Sequence, residues 1–447
     1  MTAYVHDMTK GNVTAHLIRF AIPMLLGNLF QQFYNIVDSI VVGKYVGDIA
    51  LAAVGIVATL NFLFFSICMG LSVGIGIVIS HYFGAGKEDD IKKVIGNAIY
   101  ITAAIGILMS VIGVVFARQI LVSLDTPVEV LPYAVEYMQV LSAGVVFVAG
   151  YNGISAVLRA LGDSKTPLIF LAISSVTNIL LDVLFIIIMD MGAAGLGLAT
   201  VISQAISMVG SIVFAMRVNP YLRLKKKHFA VDKEIIGKSL RLGIPMGIQY
   251  SLIAISVLAL QKVVNGFGAV TMAAFTATSR IEQLINQPFS SLGAAISTFA
   301  GQNMGQENVD RVRSGVRKSV KIVLIFSIVS CIIFYISGEW IMGCFINNPE
   351  AIVLGARALR ITSLFYIALG LIHVLRGMLN GAGDAPYALV AGLMEVIGRV
   401  VFSLILVRIP SIGVWGLWLT TGMTWTITAI SGVWRYLQGK WTKIQIE

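Results

Sequence analysis

Two carboxylates lie where an apolar chain should not hold them. Asp38 closes the run Gln31-Gln-Phe-Tyr34-Asn35-Ile-Val-Asp38, and Asp182 closes Thr177-Asn178-Ile-Leu-Leu-Asp182, each within a long apolar stretch. Gln31, Tyr34 or Asn35, and Asp38 recur at three- and four-residue steps. Asn178 and Asp182 are four apart. On helices, each set therefore shares one face. A charged group at the centre of a spanning helix costs about 2.5–3.5 kcal/mol or more, so such residues mark ion pathways or relays by default. Two carboxylates, the Asn178 amide and the Thr200 hydroxyl make a set of hard oxygen donors for a proton or a cation such as Na⁺. Close carboxylates repel and burial disfavours their charge, so taking up a proton or cation stabilises the pair. The plainer reading is separate polar residues that face water or form a structural hydrogen-bond network.

The rest of the sequence says what positions them. The chain has 447 residues, 57% hydrophobic and 12% charged, with mean hydropathy +0.88. Soluble domains carry about 25% charged residues. That deficit is too large for a single buried core, so much of the surface must face lipid. A spanning helix needs about 20 mostly apolar residues. Twelve stretches qualify, near residues 17–42, 51–82, 94–116, 133–158, 167–188, 194–216, 242–264, 270–299, 316–336, 352–379, 386–407 and 412–434. The expected fold is an all-α polytopic membrane protein. The opening 16 residues are polar and do not read as a cleaved signal peptide, so the first span is expected to remain.

Of 32 Lys and Arg residues, five (Lys44, Arg118, Arg357, Arg360, Arg408) fall on one side of the spans and three (Lys262, Arg280, Arg399) within them. The rest lie in the tails, in alternate loops and at the span ends that adjoin them, a side that the positive-inside rule places in the cytoplasm together with both termini. The net charge of +10 then reads as basic loops against anionic lipid, not as a nucleic-acid surface. Cys68, Cys331 and Cys344 are an odd set in apolar stretches, which argues against a disulfide framework.

The halves of the chain repeat. Arg19-Phe-Ala-Ile-Pro23-Met returns as Arg241-Leu-Gly-Ile-Pro245-Met, 222 residues on. Gly86-Lys-Glu-Asp matches Gly305-Gln-Glu-Asn at 219, and Gly162-Asp163 matches Gly383-Asp384 at 221. This predicts two pseudo-symmetric six-helix bundles, residues 1–216 and 239–447, joined by a cytoplasmic linker, 217–238. An even number of spans inserts both halves the same way up, with the pseudo-two-fold axis along the membrane normal. Pro23 and Pro245 open equivalent spans, as static kinks shared by descent or as hinges.

The repeat does not extend to the acids. At the positions of Asn178 and Asp182 the second half has Arg399 and Ser403, with Glu395 one turn before Arg399. Arg280, Glu282 and Gln283 fall near mid-depth of the eighth span. Glu282 either pairs with Arg399 as a lock or meets a cationic substrate or a second ion. Candidate substrate-cavity residues are Gln31, Tyr34, Asn35, Glu282, Gln283 and Arg399.

Other signals carry little. Gly84-Ala-Gly86-Lys87 lacks the spacing of a phosphate loop and reads as a helix end. The five histidines form no i,i+4 pair, so no metal site is expected beyond Na⁺ at the acids. Gly70-x-x-x-Gly74, Gly243-x-x-x-Gly247 and Gly377-x-x-x-Gly381 read as helix-packing positions. Trp340, Trp415, Trp418, Trp434 and Trp441 fit an aromatic belt at the membrane surface.

Taken together, Pro23-Met with Asn35-Ile-Val-Asp38-Ser, Leu158-Arg159-Ala-Leu-Gly162-Asp163-Ser-Lys-Thr-Pro167, and Asn178-Ile-Leu-Leu-Asp182 resemble the multidrug and toxic compound extrusion (MATE) transporters, over essentially the whole chain. The resemblance implies an exporter that exchanges a drug-like, often cationic compound for inward-moving H⁺ or Na⁺. It also implies that Asp38, Asn178, Asp182 and Thr200 form a cation site in the first bundle. The acids that some members carry in spans seven and ten are missing: span seven offers Gln249 and Gln261, and Asp384 falls past the end of span ten.

The expected function is therefore a secondary antiporter in the cell membrane. It is expected to be monomeric, to need no cofactor besides the coupling ion, and to have a small-molecule substrate, the coupling cation and lipids as its partners. A lipid-linked saccharide flippase of related architecture is the alternative, and needs a cationic cavity. An enzyme would need a nucleophile with a base, or a metal cluster, at common depth, and the sequence offers neither.

Overall fold

The structure, a computed structural model, describes residues 4–446 apart from the side chains of Ser39, Val42 and Asp48. Among the described residues there is no strand. The helices are α1 (Val13–Tyr45), α2 (Asp48–Gly84), α3 (Glu88–Val115), α4 (Ala117–Ser123), α5 (Leu131–Ala143), α6 (Val145–Ala160), α7 (Lys165–Asp182), α8 (Gly192–Val218), α9 (Lys233–Val264), α10 (Ala269–Gly305), α11 (Val309–Gly343), α12 (Pro349–Ser363), α13 (Tyr366–Gly381), α14 (Ala385–Leu406) and α15 (Gly416–Leu437). Among the described residues, eight helices are long and apolar enough to cross a membrane. The pairs α5–α6 and α12–α13, bent by 43° and 50°, bring the number to ten. The more polar helices α10 and α15 occupy the expected eighth and twelfth spans. Large apolar side chains such as Ile336, Ile325 and Leu180 are mostly exposed, which suits contact with acyl chains and not with water.

The chain forms two compact units. One comprises the residues up to Asp7, Ile22–Gly247 and the final residues from Ile446; the other comprises Met8–Ala21 and Ile248–Gln445. The changeovers fall within one turn of Pro23 and Pro245, so each proline stands where its helix passes from one unit to the other.

The backbone sharpens the repeat to an offset of 221. Left-handed residues recur in pairs: Gly47 with Gly268, Gly86 with Glu307, Gly162 with Gly383, and Gly192 with Gly413. Core residues follow the same offset, with Ala53, Val130 and Leu196 in one unit answered by Ala274, Ala351 and Leu417 in the other. This corrects one sequence match. The counterpart of Gly86 is not Gly305 but Glu307. Gly86 N donates to the Phe83 carbonyl and Lys87 N to that of Tyr82; Glu307 N and Asn308 N donate to those of Met304 and Asn303. The letters aligned at 219, whereas the turn aligns at 221.

Glu307 thus holds φ 56° where the first half uses glycine. A left-handed residue with a Cβ costs roughly 1–2 kcal/mol, and the Glu307 side chain offers only a 3.3 Å contact from Gln445 in return. Glu307→Gly is expected to stabilise the protein by about 1 kcal/mol, visible as a higher melting temperature in detergent. An unchanged or lower value would show that the turn relaxes around its Cβ.

Small residues set the helix contacts as expected. A Cβ on Gly70 or Gly74 would strike the backbone of Gly247 or Gly243, and one on Gly377 or Gly381 would strike Gly293 or Ser297. Two tryptophans do not follow the aromatic-belt expectation. Trp418 and Trp441 are each 1% exposed. Trp418 donates to the Thr278 hydroxyl at 3.0 Å, and Trp441 to the Tyr436 carbonyl at 3.0 Å. A partner for the indole N–H within reach makes burial favourable. Trp340 and Trp434 are largely exposed, as a belt requires.

The segment read as a linker is docked along α3. Asn97 donates to the Ala230 carbonyl at 3.1 Å and accepts from Asp232 N at 2.9 Å, and Tyr100 donates to the Phe229 carbonyl at 2.9 Å. Buried His228 meets Asp89 at 3.1 Å, and Lys227 reaches the same carboxylate at 2.6 Å. Gly96 lets the His228 carbonyl approach so closely that a Cβ would collide with it. Overpacking costs about 1–3 kcal/mol, so Gly96→Val is expected to lift this segment and speed tryptic cleavage at Lys225–Lys227 several-fold. Unchanged cleavage would mean that the segment does not depend on this contact.

Candidate ion-binding site

Helix α1 has two faces. Ile18, Ile22, Leu26, Leu29, Phe33, Ile36 and Ile40 form an exposed apolar stripe at helical spacing. Another face carries Gly27, Gln31, Tyr34, Asp38 and Val41. On that face a Cβ on Gly27 would meet Leu168 and Leu171 of α7, and Val41 packs in the apolar core of its unit with Ile186 and Leu196. The lipid stripe therefore turns Asp38 inward, toward α7.

Helix α7 supplies the second acid at its last residue. Asp182 is fully buried and Asn178, one turn earlier, nearly so. Directly after Asp182 the helix widens to a π turn over Val183–Ile188. Such turns are rare and are often found at functional sites. The Asp38 and Asp182 carboxyls face each other, side chain to side chain. Tyr34 of α1 and Tyr137 of α5 stand within range of both acids, and Gln31 stands beside Tyr34. Tyr137 escaped sequence reasoning, because a tyrosine in an apolar stretch has no distinguishing signal.

Several of these polar atoms lack well-formed partners. Asp38 Oδ1, both carboxylate oxygens of Asp182, and both amide atoms of Asn178 are shut from solvent without a hydrogen bond among the described residues. A buried polar group left so costs about 1–3 kcal/mol, more if charged. A proton shared between the carboxyls, or a small cation among the oxygens, removes that cost. The Thr200 hydroxyl donates to the Leu196 carbonyl of its own helix at 3.1 Å. Asn35 is exposed and off the inward face.

The second unit carries the other candidates. Arg399 donates to the Ser256 hydroxyl at 2.5 Å and lies 3.9 Å from Glu395, which Arg376 also reaches at 3.3 Å. The expected intrahelical pair is present but loose, and Arg376 is an added partner. Glu282 lies near Arg399 and beside Thr362, while Gln283 is exposed on α10. Ser256 answers Tyr34 at the 222 offset of the prolines, and Leu260 answers Asp38. The positions that hold acids in one unit hold a leucine and a serine in the other. Asp384 stands at the start of α14 without a side-chain capping bond and pairs instead with Arg435 at 2.6 and 2.9 Å.

The MatE family model matches residues 23–184 and 245–405, once over each half. The chain belongs to the MatE family. It is a membrane transporter and not an enzyme. The probable multidrug resistance protein YpnP of Bacillus subtilis is 31% identical, with 100% of this chain and 99% of that protein aligned. The probable multidrug resistance protein NorM of Thermotoga maritima is 23% identical, over 96% of this chain and 94% of its own length. A solved outward-facing conformation of a multidrug resistance MATE transporter shares the fold, with TM-score 0.88 at 23% identity over the full length of both chains.

Proposed function

We propose that this MatE-family transporter is a secondary antiporter that exports drug-like, cationic organic compounds in exchange for inward-moving H⁺ or Na⁺. The observation that carries this reading is the facing pair Asp38 and Asp182, with its unpartnered buried oxygens. The naming of YpnP and NorM as probable multidrug resistance proteins supports multidrug resistance as the physiological output. Ion occupancy at the acids, with Asn178 and, once α8 shifts, Thr200, opposes substrate occupancy. The two sites are then negatively coupled, and the coupling is reciprocal. The candidate substrate-contacting residues are Gln31, Tyr34 and Asn35 in the first unit and, taking the second by itself, Glu282, Gln283 and Arg399. The charge bias of the loops supports both termini in the cytoplasm of a cell-membrane protein. Residues 1–216 and 239–447 act as the two moving bundles of a monomer.

The test is ethidium transport into proteoliposomes with a pH gradient or a Na⁺ gradient imposed separately. Exchange driven by one gradient and abolished by its collapse is expected. Equal transport with no gradient would overturn antiport. Preference for lipid phosphates over cationic dyes in a binding assay would point instead to a lipid-linked saccharide flippase.

A further inference from the structure

We infer that the second unit binds an anionic phospholipid, with an acyl chain in a groove between α13 and α15 and the phosphate at Arg317 and Lys321 of α11. The groove is apolar, has a volume of about 460 Å³, and is lined by Leu364, Ala368 and Leu371 of α13 and by Ala429, Val433 and Leu437 of α15, among others. On α15 it spans residues 426–437, or about 17 Å at about 1.5 Å per residue. One leaflet has a similar depth, about 15 Å of a hydrocarbon core of about 30 Å. Leu364, Ile430, Trp434 and Leu437 are mostly exposed, so the groove opens sideways to lipid. Helix α13 also packs on α11, where a Cβ on Gly370 would strike Val323. Tyr436, next to the end of the groove, stands within range of Arg313 and Arg317 of α11, and buried Trp441 stacks on it with ring centres 5.7 Å apart. Other cations at this end are already engaged: Arg311 donates to the Met8 carbonyl, Arg313 to Asp310 and Arg435 to Asp384. Arg317, Lys318 and Lys321 are exposed and have no ion pair among the described residues. Lys321 lies one turn beyond Arg317, and exposed Ile325 and Ile328 follow it. The two cations thus stand where polar surface gives way to apolar, the level of a phospholipid headgroup.

The first unit lacks both parts of this site. At the 221 offset Ala368 and Ala429 are answered by Phe147 and Met208, larger side chains where the groove has its floor. Met208 lies so close over Gly150 that a Cβ there would collide with it. Arg317 and Lys321 are answered by Gly96 and Tyr100, which receive the backbone of His228 and Phe229 instead. The groove floor and the unpaired cations therefore depart from the shared frame together, at one end of one unit. An acyl chain alone needs no cations, and a phosphate alone needs no groove; an anionic phospholipid uses both. The same cations repel an organic cation from the groove mouth. That the leaflet is the cytoplasmic one rests on the orientation proposed above; the binding itself does not.

Native mass spectrometry of the purified, delipidated transporter, titrated with phosphatidylglycerol or phosphatidylcholine, tests this. One phosphatidylglycerol held in preference to phosphatidylcholine is expected. Arg317→Gln with Lys321→Gln should weaken its binding roughly 30-fold, while Lys225→Gln with Lys226→Gln, outside the site, should leave it unchanged. Ala368→Phe with Ala429→Met, which brings in the first unit's side chains, should abolish retention although the cations remain. The surface glutamine pair decides the question if that variant does not fold. Equal retention of the two lipids, undiminished phosphatidylglycerol binding by either site variant, or an equal loss in the Lys225→Gln/Lys226→Gln control would overturn the site. Displacement of the lipid by ethidium would overturn it too, by making the groove a place for substrate. No gradient enters this measurement, so its failure leaves antiport to be judged by its own test.

Discussion

Asp38→Asn is expected to reduce ethidium efflux from cells to the level of cells lacking the transporter, and Asp182→Asn is expected to do the same. Asparagine keeps the size of the side chain and an acceptor oxygen but removes the charge that draws in the coupling ion. The inward face of α1 is held by Gly27 against α7 and by Val41 in the core, so the backbone has no reason to move. The loss is therefore one of coupling. Free energies between two linked sites are typically about 1–3 kcal/mol, or roughly 5–150-fold in affinity. Substrate binding should survive in both variants and become independent of pH or Na⁺. Thr200→Ala should cost less, since its hydroxyl is already engaged by Leu196. Normal efflux by a well-expressed Asp38→Asn protein would sink the mechanism.

The sequence displays Asp38 and Asp182 because a charge in an apolar helix contradicts its surroundings, and that contradiction needs no partner to be visible. Tyr137 and Tyr366 stay hidden because tyrosine is tolerated in cores and at interfaces alike, and only the fold shows that each meets an acid. The twelve-span plan is legible from composition, even for the more polar α10 and α15. The bends within α5–α6 and α12–α13 are not, since Gly144 and the Leu364–Phe365 step give no strong stop signal. The π turn after Asp182 arises in an apolar run that reads equally well as α-helix. Identities alone set the repeat at 219, 221 and 222. The single offset of 221 through the left-handed turns belongs to backbone conformation, which Glu307 can share with Gly86 while no letter matches.

The two halves also differ in how they neutralise the same buried aspartate, and this carries the second large effect. Asp163 and Asp384 follow equivalent left-handed glycines. Asp163 accepts from Lys165 N and Thr166 N at 3.0 Å each and from the Thr166 hydroxyl at 2.5 Å, so donors of its own helix start satisfy it. Asp384 leans on the Arg435 guanidinium, whose Nε and Nη2 reach its two oxygens. Its side chain is only 1% exposed. Removing one partner of such a pair strands a buried charge and typically costs about 3–5 kcal/mol, whereas removing both can be close to neutral. Arg435→Met is therefore expected to lower thermal stability in detergent sharply, and Asp384→Asn added to it should restore most of the loss. The same aspartate-to-asparagine change at Asp163 should not depend on Arg435. Two single losses that simply add in the double variant would show that the pair is not coupled, and that the second half holds Asp384 by its helix start as the first half holds Asp163.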